Sequence, residues 1–354
     1  MTQSAPSGEA RASDRTAHAG AASQRIVAVV VTYNREQLLR DCLDALAAQA
    51  RRPDAVVVID NASSDASGRV ADEHPLGADV LHLRRNVGGA GGFAAGIARA
   101  LQRHGADWVW VMDDDTVPRP AALAELLRSL EASPARLSVL SSRAVWTDGR
   151  PHPMNSQRTR LGASTREKQD AARAHGRPIR TASYVSALLN AEDVRRLGLP
   201  IADYFIWSDD FEHTGRLLRR GRGIAVPGSV VEHRTVRFDN AQANPGGRFY
   251  YDVRNRLWAL LRTDSFTPLE RALYGGRTAL GWAGQLLRHR GDLLGSGLRG
   301  LLAALARGPR PSAQVLAVDG EAAAEGRAVE RAAGQRPPIP LPGRPGAARP
   351  TSPS

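Results

Sequence analysis

The sequence is poor in cysteine and lacks long apolar runs, and each absence excludes a class of protein. Cys42 is the only cysteine among 354 residues, so neither an intrachain disulfide nor a cysteine-ligated zinc cluster can form. No stretch approaches the roughly 20 apolar residues of a membrane-spanning helix. Residues 1–24 contain no apolar core of a signal peptide, so we expect a cytoplasmic protein.

The chain does have enough apolar sequence for a large core, and an excess of positive charge. Hydrophobic residues make up 42% of it, which at this length supports one large or two ordinary domains. The 48 basic residues outnumber the 36 acidic ones, and the formal net charge is +12. This balance implies an anionic partner, for which a phosphorylated substrate, a membrane surface and nucleic acid are all candidates.

The two ends of the chain differ in composition from its middle. Residues 1–24 and 309–354 are rich in Pro, Ala, Ser, Gly and Arg. Because such segments cannot bury enough apolar surface to offset the entropy of ordering, we expect both to be disordered tails. A folded unit is therefore expected between them.

Four apolar segments after the first tail have the composition of buried strands. Helical patterns separate them, and the first helix is predicted to be capped by Asn34, with Gln37 three residues later. Strands that alternate with helices predict an α/β fold with a mostly parallel, doubly wound sheet, in which ligands bind beyond the carboxyl ends of the strands. The predicted strands are 26–31, 55–60, 79–85 and 108–113.

Three polar motifs fall at these strand ends. TYN at 32–34 can be a helix cap, and DNASSD at 60–65 can be a turn whose side chains bond their own backbone. DDD at 113–115 is harder to explain, because adjacent carboxylates repel one another unless a cation lies between them. Alternate residues of an extended segment share a side, so Asp113 and Asp115 are predicted to face a divalent metal, with a solvated acidic loop as the alternative.

The segment RNVGGAGGFAAG at 85–96 places five glycines around a predicted helix start, which lets backbone lie against a ligand. It also contains Gly89-x-Gly91-x-x-Ala94 after a strand, with Asp113 about 20 residues later, the loose form of a dinucleotide-binding fingerprint. A ribose needs one carboxylate, however, and two further acids beside it would only add repulsion. The triple aspartate therefore favours a metal held against a diphosphate.

A second acidic pair, Asp209 and Asp210, precedes a predicted helix within 204–221. The pair can be capping residues that the helix dipole stabilises, or one of them can be a general base. An extended segment at 222–235 follows and carries His233. A lone histidine there is structural unless it completes a metal site.

Six motifs together resemble, in their order and spacing, the family 2 inverting glycosyltransferases of the GT-A fold, which use nucleotide-diphosphate sugars. They are VVVTYNR, VIDNASSD, RNVGGAGGF, MDDD, WSDDFE and VEHR. The resemblance covers about residues 25–265. Residues 86–115 are most similar to the actinobacterial galactofuranosyltransferases that start galactan chains, with the related rhamnosyltransferases next. RFYYDVRNRLW at 248–258 also resembles a late motif of this branch.

The resemblance implies a donor site at the carboxyl ends of the first strands. Thr32 and Asp60 would hold the nucleotide, and the turn at Tyr33 and Asn34 would line the pocket. Asp114 would meet the donor sugar or the ribose. The floor beneath the diphosphate would be formed by Asn86, Gly88, Gly89, Gly91 and Gly92.

The resemblance also implies Mg²⁺ or Mn²⁺ as the cofactor, faced by Asp113 and Asp115 and completed by His233. The donor would be a UDP- or dTDP-linked sugar, with UDP-galactofuranose as the first choice and dTDP-rhamnose as the alternative. The acceptor would be a glycan or a polyprenyl-linked sugar in cell-wall or polysaccharide synthesis. No nucleic acid is implied as a partner.

For catalysis, the resemblance makes Asp210 the base that deprotonates the acceptor hydroxyl, with Asp209 beside it. Trp207 and Glu212 would contact the acceptor, although a serine separates Trp207 from the acidic pair where some relatives have none. Two functions of other classes stay open on the sequence. They are a dinucleotide-dependent oxidoreductase and a non-catalytic module that binds carbohydrate or nucleic acid.

Two segments are not explained by the motifs. Residues 150–180 are rich in arginine, and we expect a mobile loop over the acceptor site. Residues 266–308 predict two or three helices rich in Leu, Ala and Arg. These helices either pack against the catalytic domain or form a basic amphipathic surface that contacts an anionic membrane.

Overall fold

A computed structural model describes residues 24–334, except 156, 237 and 239–245. Its centre is one large sheet. The strands are β1 (Ile26–Thr32), β2 (Ala55–Asp60), β3 (Asp79–His82), β4 (Trp108–Asp113), β5 (Thr116–Pro118), β6 (Val139–Val145), β7 (Arg158–Thr159), β8 (Arg177–Thr181), β9 (Ala187–Asn190) and β10 (Gly223–His233).

The strand order is β3-β2-β1-β4-β9-β6-β10-β8-β7, and β5 pairs with β10 outside this path. The first four strands form the predicted parallel half. Beyond β4 the sheet is mixed, because β9 runs antiparallel to both of its neighbours while β6 and β10 are parallel. All four predicted strands are confirmed, although β3 ends at His82 rather than at residue 85.

Helices cover both faces of the sheet and continue beyond it. They are α1 (Glu36–Ala47), α2 (Ser67–Glu73), α3 (Gly88–Gln102), α4 (Ala122–Ala132), α5 (Thr165–Arg173), α6 (Ala191–Leu197), α7 (Asp209–Leu217), α8 (Phe249–Leu261), α9 (Pro268–Arg288), α10 (Arg290–Ala306), α11 (Ser312–Val315) and α12 (Gly320–Ala332). None of those in the described part of the chain combines the length and the apolar character that crossing a membrane requires.

β1 lies inside the parallel half, and all seven of its residues are buried. Successive side chains point to opposite faces of a sheet, so Val29 packs with α3 while Val30 packs with α1 and α4. Cys42 of α1 is fully buried in the second of these clusters, as the apolar stripe of the helix predicts. The central strand therefore joins two cores.

Two glycines let α3 approach the sheet closely. A Cβ atom added to Gly92 would lie 2.4 Å from Val31 Cγ1, and one added to Gly96 would lie 2.3 Å from Val29 Cγ1. Helix packing therefore accounts for the missing side chains at these two positions. At Gly89, by contrast, an added Cβ would meet nothing within 4 Å.

The prediction that Asn34 caps α1 is wrong. The residue before the helix is Arg35, and no side chain caps it. Asn34 instead has a φ of 53° and uses its side-chain oxygen to accept from the backbone N–H of Ser64 at 2.7 Å. The residue therefore ties the TYN turn to the DNASSD turn of the neighbouring strand.

The prediction of a disordered tail from residue 309 is wrong for residues 309–334. Here α11 and α12 fold back onto α3, and Leu316 and Val329 are fully buried. Glu321 of α12 forms an ion pair with Arg99 of α3 at 2.8 Å. The few apolar residues of this segment fall at helical spacing, which its overall composition conceals. The predicted tails at 1–23 and 335–354 lie outside the described residues.

The prediction of a mobile loop at 150–180 is also wrong, because the described part of this segment is folded. It contains β7, α5 and β8, and α5 begins with a capping box between Ser164 and Glu167. β8 pairs with β10 and so joins the main sheet. By contrast, the helices predicted in 266–308 are confirmed as α9 and α10.

A truncation after residue 308 tests the role of the last two helices. We expect the free energy of unfolding to fall by about 3 kcal/mol or more, since two apolar side chains lose their buried sites at about 1.5–3 kcal/mol each. Denaturant titration followed by circular dichroism measures this. A truncation after residue 334 is the matched control, because it leaves α11 and α12 whole. Equal midpoints for the two truncations would show that these helices do not stabilise the domain.

Candidate functional site

The predicted site residues converge where several strands end. Thr32 of β1 is in register with Asp60 of β2, and Val31 is in register with Asp113 of β4. The chain then turns and β5 pairs antiparallel with β10, which opposes Thr116 to His233. The sheet therefore brings His233, more than a hundred residues away in sequence, to the triple aspartate.

The three aspartates point in different directions, because Asp113 ends β4 while Asp114 and Asp115 form a turn before β5 rather than the predicted extended segment. Asp114 turns toward β1, where its carboxylate accepts from Thr32 Oγ1 at 2.9 Å and from the Tyr33 backbone N–H at 3.3 Å. Asp115 turns toward β10, with its Oδ1 lying 3.1 Å from His233 Nε2. The potential ligand atoms of Asp113, Asp115 and His233 all lie within 4.8 Å of one another.

The hydrogen bond between Asn155 and His233 indicates which ring nitrogen of His233 is available to a metal. His233 Nδ1 lies 2.7 Å from the side-chain oxygen of Asn155, and an amide oxygen only accepts, so the ring proton belongs on Nδ1. In its neutral form, His233 therefore presents the lone pair of Nε2 to Asp115 Oδ1, a buried oxygen to which no described group donates a hydrogen bond. A cation bound to both atoms would satisfy them. The residues present therefore fit a divalent metal of the Mg²⁺ or Mn²⁺ kind.

The pKa values describe the same crowding of negative charge. Burial, reinforced by Asp115 and Asp114, raises the pKa of Asp113 well above its usual value. Burial raises the pKa of Asp114 to about 6. Burial acts in the same direction on Asp115, but contacts with His233 and Arg35 outweigh it and lower the pKa of this carboxyl. A bound cation would hold all three ionised.

Sequence reasoning missed two residues of this cluster. Arg35, at the end of the TYNR motif, forms ion pairs with Asp115 and, at 3.2 Å, with Asp114. Asn155, which orients His233, lies in the arginine-rich segment that had no motif. The position of Arg35 beside TYN was a usable signal, whereas nothing in the sequence pointed to Asn155.

The donor-side residues line the neighbouring strand ends. Asp60 accepts from the Ser63 backbone N–H at 2.9 Å and meets His82 Nδ1 at 2.9 Å, so both of its oxygens have partners. The side-chain oxygen of Asn86 accepts from the Gly88 backbone N–H at 2.7 Å, at the start of α3. Asn61, another residue that the motifs did not single out, joins these elements by donating to the Gly88 carbonyl at 3.0 Å.

The second acidic pair begins α7 after a strained turn. Phe205 has φ 66° and ψ −60°, and the Ile206 N–H donates to the Tyr204 carbonyl at 2.7 Å, which defines a rare γ-turn. Trp207 and Ser208 also have positive φ values, of 66° and 70°. Such backbone persists only where its surroundings over-determine it, and it clusters at functional sites.

Residues of the motif at 248–258 hold the strained turn before α7 in place. Asn255 of α8 donates through its amide nitrogen to the carbonyls of Tyr204, Ile206 and Trp207 at 2.8–2.9 Å. Beside it, Arg254 donates to the Asp203 carbonyl at 2.7 Å. The sequence analysis noted this motif but assigned it no function. In the structure, its residues hold the turn before α7.

The two aspartates of α7 differ in their environment. Burial and the neighbouring Asp210 raise the pKa of Asp209 to about 8. Burial also raises the pKa of Asp210, but the Phe211 backbone N–H and the charge of Arg256 oppose this rise. Of the pair, Asp209 therefore binds a proton more strongly, while the contacts of Asp210 favour its ionised form.

Glu212 does not face an acceptor, so that expectation is wrong. Its carboxylate is fully buried, accepts from Ser265 Oγ at 2.7 Å and pairs with Arg216 at 3.0 Å. Glu212 therefore fixes α7 to the chain before α9. Trp207 is half-buried, and its backbone carbonyl accepts a hydrogen bond from Asn255 of α8 at 2.9 Å.

Comparisons with known proteins agree with this geometry. The model of the family described as glycosyl transferase family 2 matches residues 27–197. The chain is 32% identical over 200 residues to the galactofuranosyltransferase GlfT1 of Mycolicibacterium smegmatis, which is 55% of this chain and 66% of that protein. It is 35% identical over 208 residues to GlfT1 of Mycobacterium tuberculosis, covering 56% of this chain and 66% of the relative. Residues 27–197 therefore form a domain of glycosyl transferase family 2.

A solved structure supports the GT-A fold of this domain. Residues 1–349 of TarS from S. aureus, in complex with UDP-GlcNAc, align with a TM-score of 0.55 and 15% identity, over 87% of this chain and 90% of that one. The oxidoreductase alternative is wrong, because the glycine segment belongs to a glycosyltransferase domain. The chain spans just under two thirds of the GlfT1 relatives it matches.

Metal titration tests the cluster at the end of β4. We expect Asp115→Asn to abolish Mn²⁺ binding, because the amide removes the charge that balances the cation. We expect Asn155→Ala to weaken Mn²⁺ binding about 10-fold or more, the usual effect of losing a partner that orients a ligating histidine. Calorimetry with MnCl₂ alone measures both.

Asp264→Asn is the control for this titration, since that carboxylate is exposed and pairs with Arg219, which lies outside the cluster. Wild-type affinity for Mn²⁺ in both site variants would refute the assignment of the metal to these residues.

Proposed function

We propose that this glycosyltransferase moves a sugar from a nucleotide-diphosphate donor to an acceptor hydroxyl with inversion, in a metal-dependent reaction. The observation that carries the proposal is the group of Asp113, Asp115 and His233, whose potential ligand atoms all lie within 4.8 Å of one another and suit a divalent cation. A separate carboxylate, Asp210, lies on a different helix and keeps its basicity. The two acidic clusters therefore suit different parts of one displacement reaction.

The donor side is assigned to the ends of β1, β2 and β4. Thr32 and Asp60 would hold the nucleotide, with Tyr33 and Asn34 at the edge of its pocket and Asp114 toward the ribose or sugar. The open space above Gly89 and the start of α3 suit a diphosphate, since helix N-termini bind anions. TarS, whose fold this chain shares, was solved with UDP-GlcNAc, and we infer a UDP-linked donor here.

The sugar itself is proposed from the relatives. Both GlfT1 proteins are galactofuranosyltransferases, so galactofuranose from UDP-galactofuranose is the first choice. Rhamnose from dTDP-rhamnose is the second candidate. The acceptor would be a glycan or a polyprenyl-linked sugar of the cell wall, and the reaction would take place in the cytoplasm. Slow hydrolysis of one member of a panel of UDP- and dTDP-sugars would identify the donor.

The chemistry divides between the two clusters. Asp113, Asp115 and His233 would hold Mg²⁺ or Mn²⁺, which supplies positive charge to the diphosphate that leaves. Asp210 would take the proton of the acceptor hydroxyl as its oxygen attacks the anomeric carbon from the opposite side. Asp209, which carries the proton of the pair, leaves Asp210 free to act as the base.

Replacing Asp210 with Asn tests this division. We expect transfer to fall by about 100-fold or more, the usual contribution of a general base, while UDP and Mn²⁺ binding are retained. Turnover and calorimetry on the same preparation measure both quantities. Asp209→Asn is the matched variant, and its loss should be much smaller because an amide replaces a protonated acid. If Asp210→Asn loses donor binding as well, the residue serves binding or folding instead.

We also propose that α9 and α10 contact an anionic membrane surface, where a polyprenyl-linked acceptor would be held. The described part of α9 contains no buried residue, and residues 266–308 carry six arginines against two acids. Leucines form a stripe along each helix at spacings of three, four and seven, so each stripe occupies one side of its helix. The exposed leucines are Leu269, Leu273, Leu280, Leu287, Leu294, Leu298, Leu301, Leu302 and Leu305.

Vesicle sedimentation tests this surface. We expect Leu280→Glu with Leu287→Glu to weaken binding to phosphatidylglycerol vesicles about 10-fold or more, because each leucine loses about 1.5–3 kcal/mol of burial. Leu161→Glu is the control, since Leu161 is 72% exposed and lies outside these helices. Equal sedimentation of all three proteins at low salt would show that α9 does not touch the membrane.

A further inference from the structure

The connector between β8 and β9, residues 182–186, contacts elements of both acidic clusters. On one side it is held to α7, because the Ala182 backbone N–H donates to Thr214 Oγ1 at 3.0 Å. On the other side it is held to β4, because Trp110 donates through its ring N–H to Ser186 Oγ at 2.9 Å. The connector therefore touches the helix that begins with the acidic pair and the strand that ends in the triple aspartate.

Asn155 joins this connector to the metal-facing cluster. Its side-chain oxygen accepts from His233 Nδ1 at 2.7 Å, and its amide nitrogen donates to Ser183 Oγ at 3.1 Å. The two ends of an amide differ, since the oxygen only accepts and the nitrogen only donates. The two hydrogen bonds therefore run in one direction, from His233 through Asn155 to Ser183.

Ser183 continues this series to the proposed base. A hydroxyl has one proton and two lone pairs, and the oxygen of Ser183 faces two donors, Asn155 and, at 3.5 Å, the Val185 backbone N–H. Its proton is therefore left for an acceptor. The carboxylate of Asp210 accepts from this hydroxyl and from the Tyr184 backbone N–H, and both hydrogen bonds stabilise its ionised form. Asn155 and Ser183 thus form a hydrogen-bonded bridge from His233 to Asp210.

We propose that Asn155 and Ser183 are positioning residues that fix the base Asp210 relative to the metal-facing His233. This role rests on the proposed glycosyl transfer, in which Asp210 deprotonates the acceptor. A displacement needs the attacking hydroxyl in line with the leaving diphosphate, so the groups that serve the two must keep a fixed separation. The bridge supplies it between elements that are far apart in the chain. It also gives the segment at 150–180, which contains Asn155, a part in catalysis.

Kinetics of Ser183 variants test the end of the bridge at the base. We expect Ser183→Ala to lower kcat for release of UDP from UDP-galactofuranose about 10-fold or more, the effect of one lost hydrogen bond to a charged group. KM for the donor and the affinity for Mn²⁺ should stay within about 2-fold. Ser183→Thr keeps the hydroxyl and should restore kcat to within about 3-fold of the wild type. Thr147→Ala, which removes an exposed hydroxyl outside both clusters, is the control.

Asn155→Asp tests the direction of the bridge. The carboxylate keeps an oxygen for His233 but removes the N–H group that donates to Ser183. We therefore expect Mn²⁺ to bind at least as tightly as to the wild type, measured by calorimetry with MnCl₂ alone, while kcat falls as in Ser183→Ala. Asn155→Ala should lose both properties. Weaker Mn²⁺ binding by Asn155→Asp, or a wild-type kcat, would overturn the role of Asn155.

A double variant shows whether Ser183 acts through Asp210. The effect of Ser183→Ala on kcat should vanish when Asp210 is already Asn, because residues that act as a unit are not additive. Equal losses in the two backgrounds, or no loss in the single variant, would overturn the role of Ser183 while transfer by the wild type stands.

A metal-free measurement separates this inference from the proposed function. If the wild type releases no nucleoside diphosphate from UDP-galactofuranose or dTDP-rhamnose, the proposed function fails. Denaturant titration of the metal-free protein then still tests the bridge. The shifts in unfolding midpoint caused by Ser183→Ala and Asp210→Asn should not add in the double variant, since the two side chains share a hydrogen bond. Additive shifts would show that the bridge does not reach Asp210.

Discussion

Three carboxylates at the end of β4 impose the constraint on which the site depends. Asp114 is held by the hydroxyl of Thr32 on one side, and Asp115 faces His233 on the other. Because these partners end β1 and β10, the repulsion among the acids is relieved only when both halves of the sheet are in register. The excess negative charge that remains, with an oxygen that no donor reaches, is what makes the position fit a divalent cation.

The second cluster depends on strain rather than on charge. The γ-turn at Phe205 and the positive φ values after it aim the start of α7, and they persist because Asn255 holds three successive parts of the turn by their carbonyls. A helix begun in this way has its first carboxylates buried, which raises the pKa of Asp209 to about 8. Burial and the strained turn together thus give two adjacent aspartates different environments.

The helices after α8 form the surfaces that surround the two acidic clusters. α11 and α12 return to α3, behind the donor side, through buried apolar contacts and ion pairs with arginines. α9 and α10 each leave a stripe of leucines exposed, and Tyr274 of α9 lies beside Arg158. Donor and acceptor would therefore reach the site from different sides, the first across the strand ends and the second along a basic and apolar face.

The sequence by itself determined the elements whose signal is local. The buried strands and the helical spacing in α9 and α10 follow from residue order, because each depends on neighbours that are close in the chain. Tertiary structure decided which residues that are distant in the chain come into contact, because composition and motifs carry no information about such contacts. The pairing of β5 with β10 brought His233 to Asp115, a folded segment supplied Asn155, and packing on α3 ordered residues 309–334. These contacts join residues far apart in the chain, and their stability comes from burial and charge pairing that exist only once the sheet has formed.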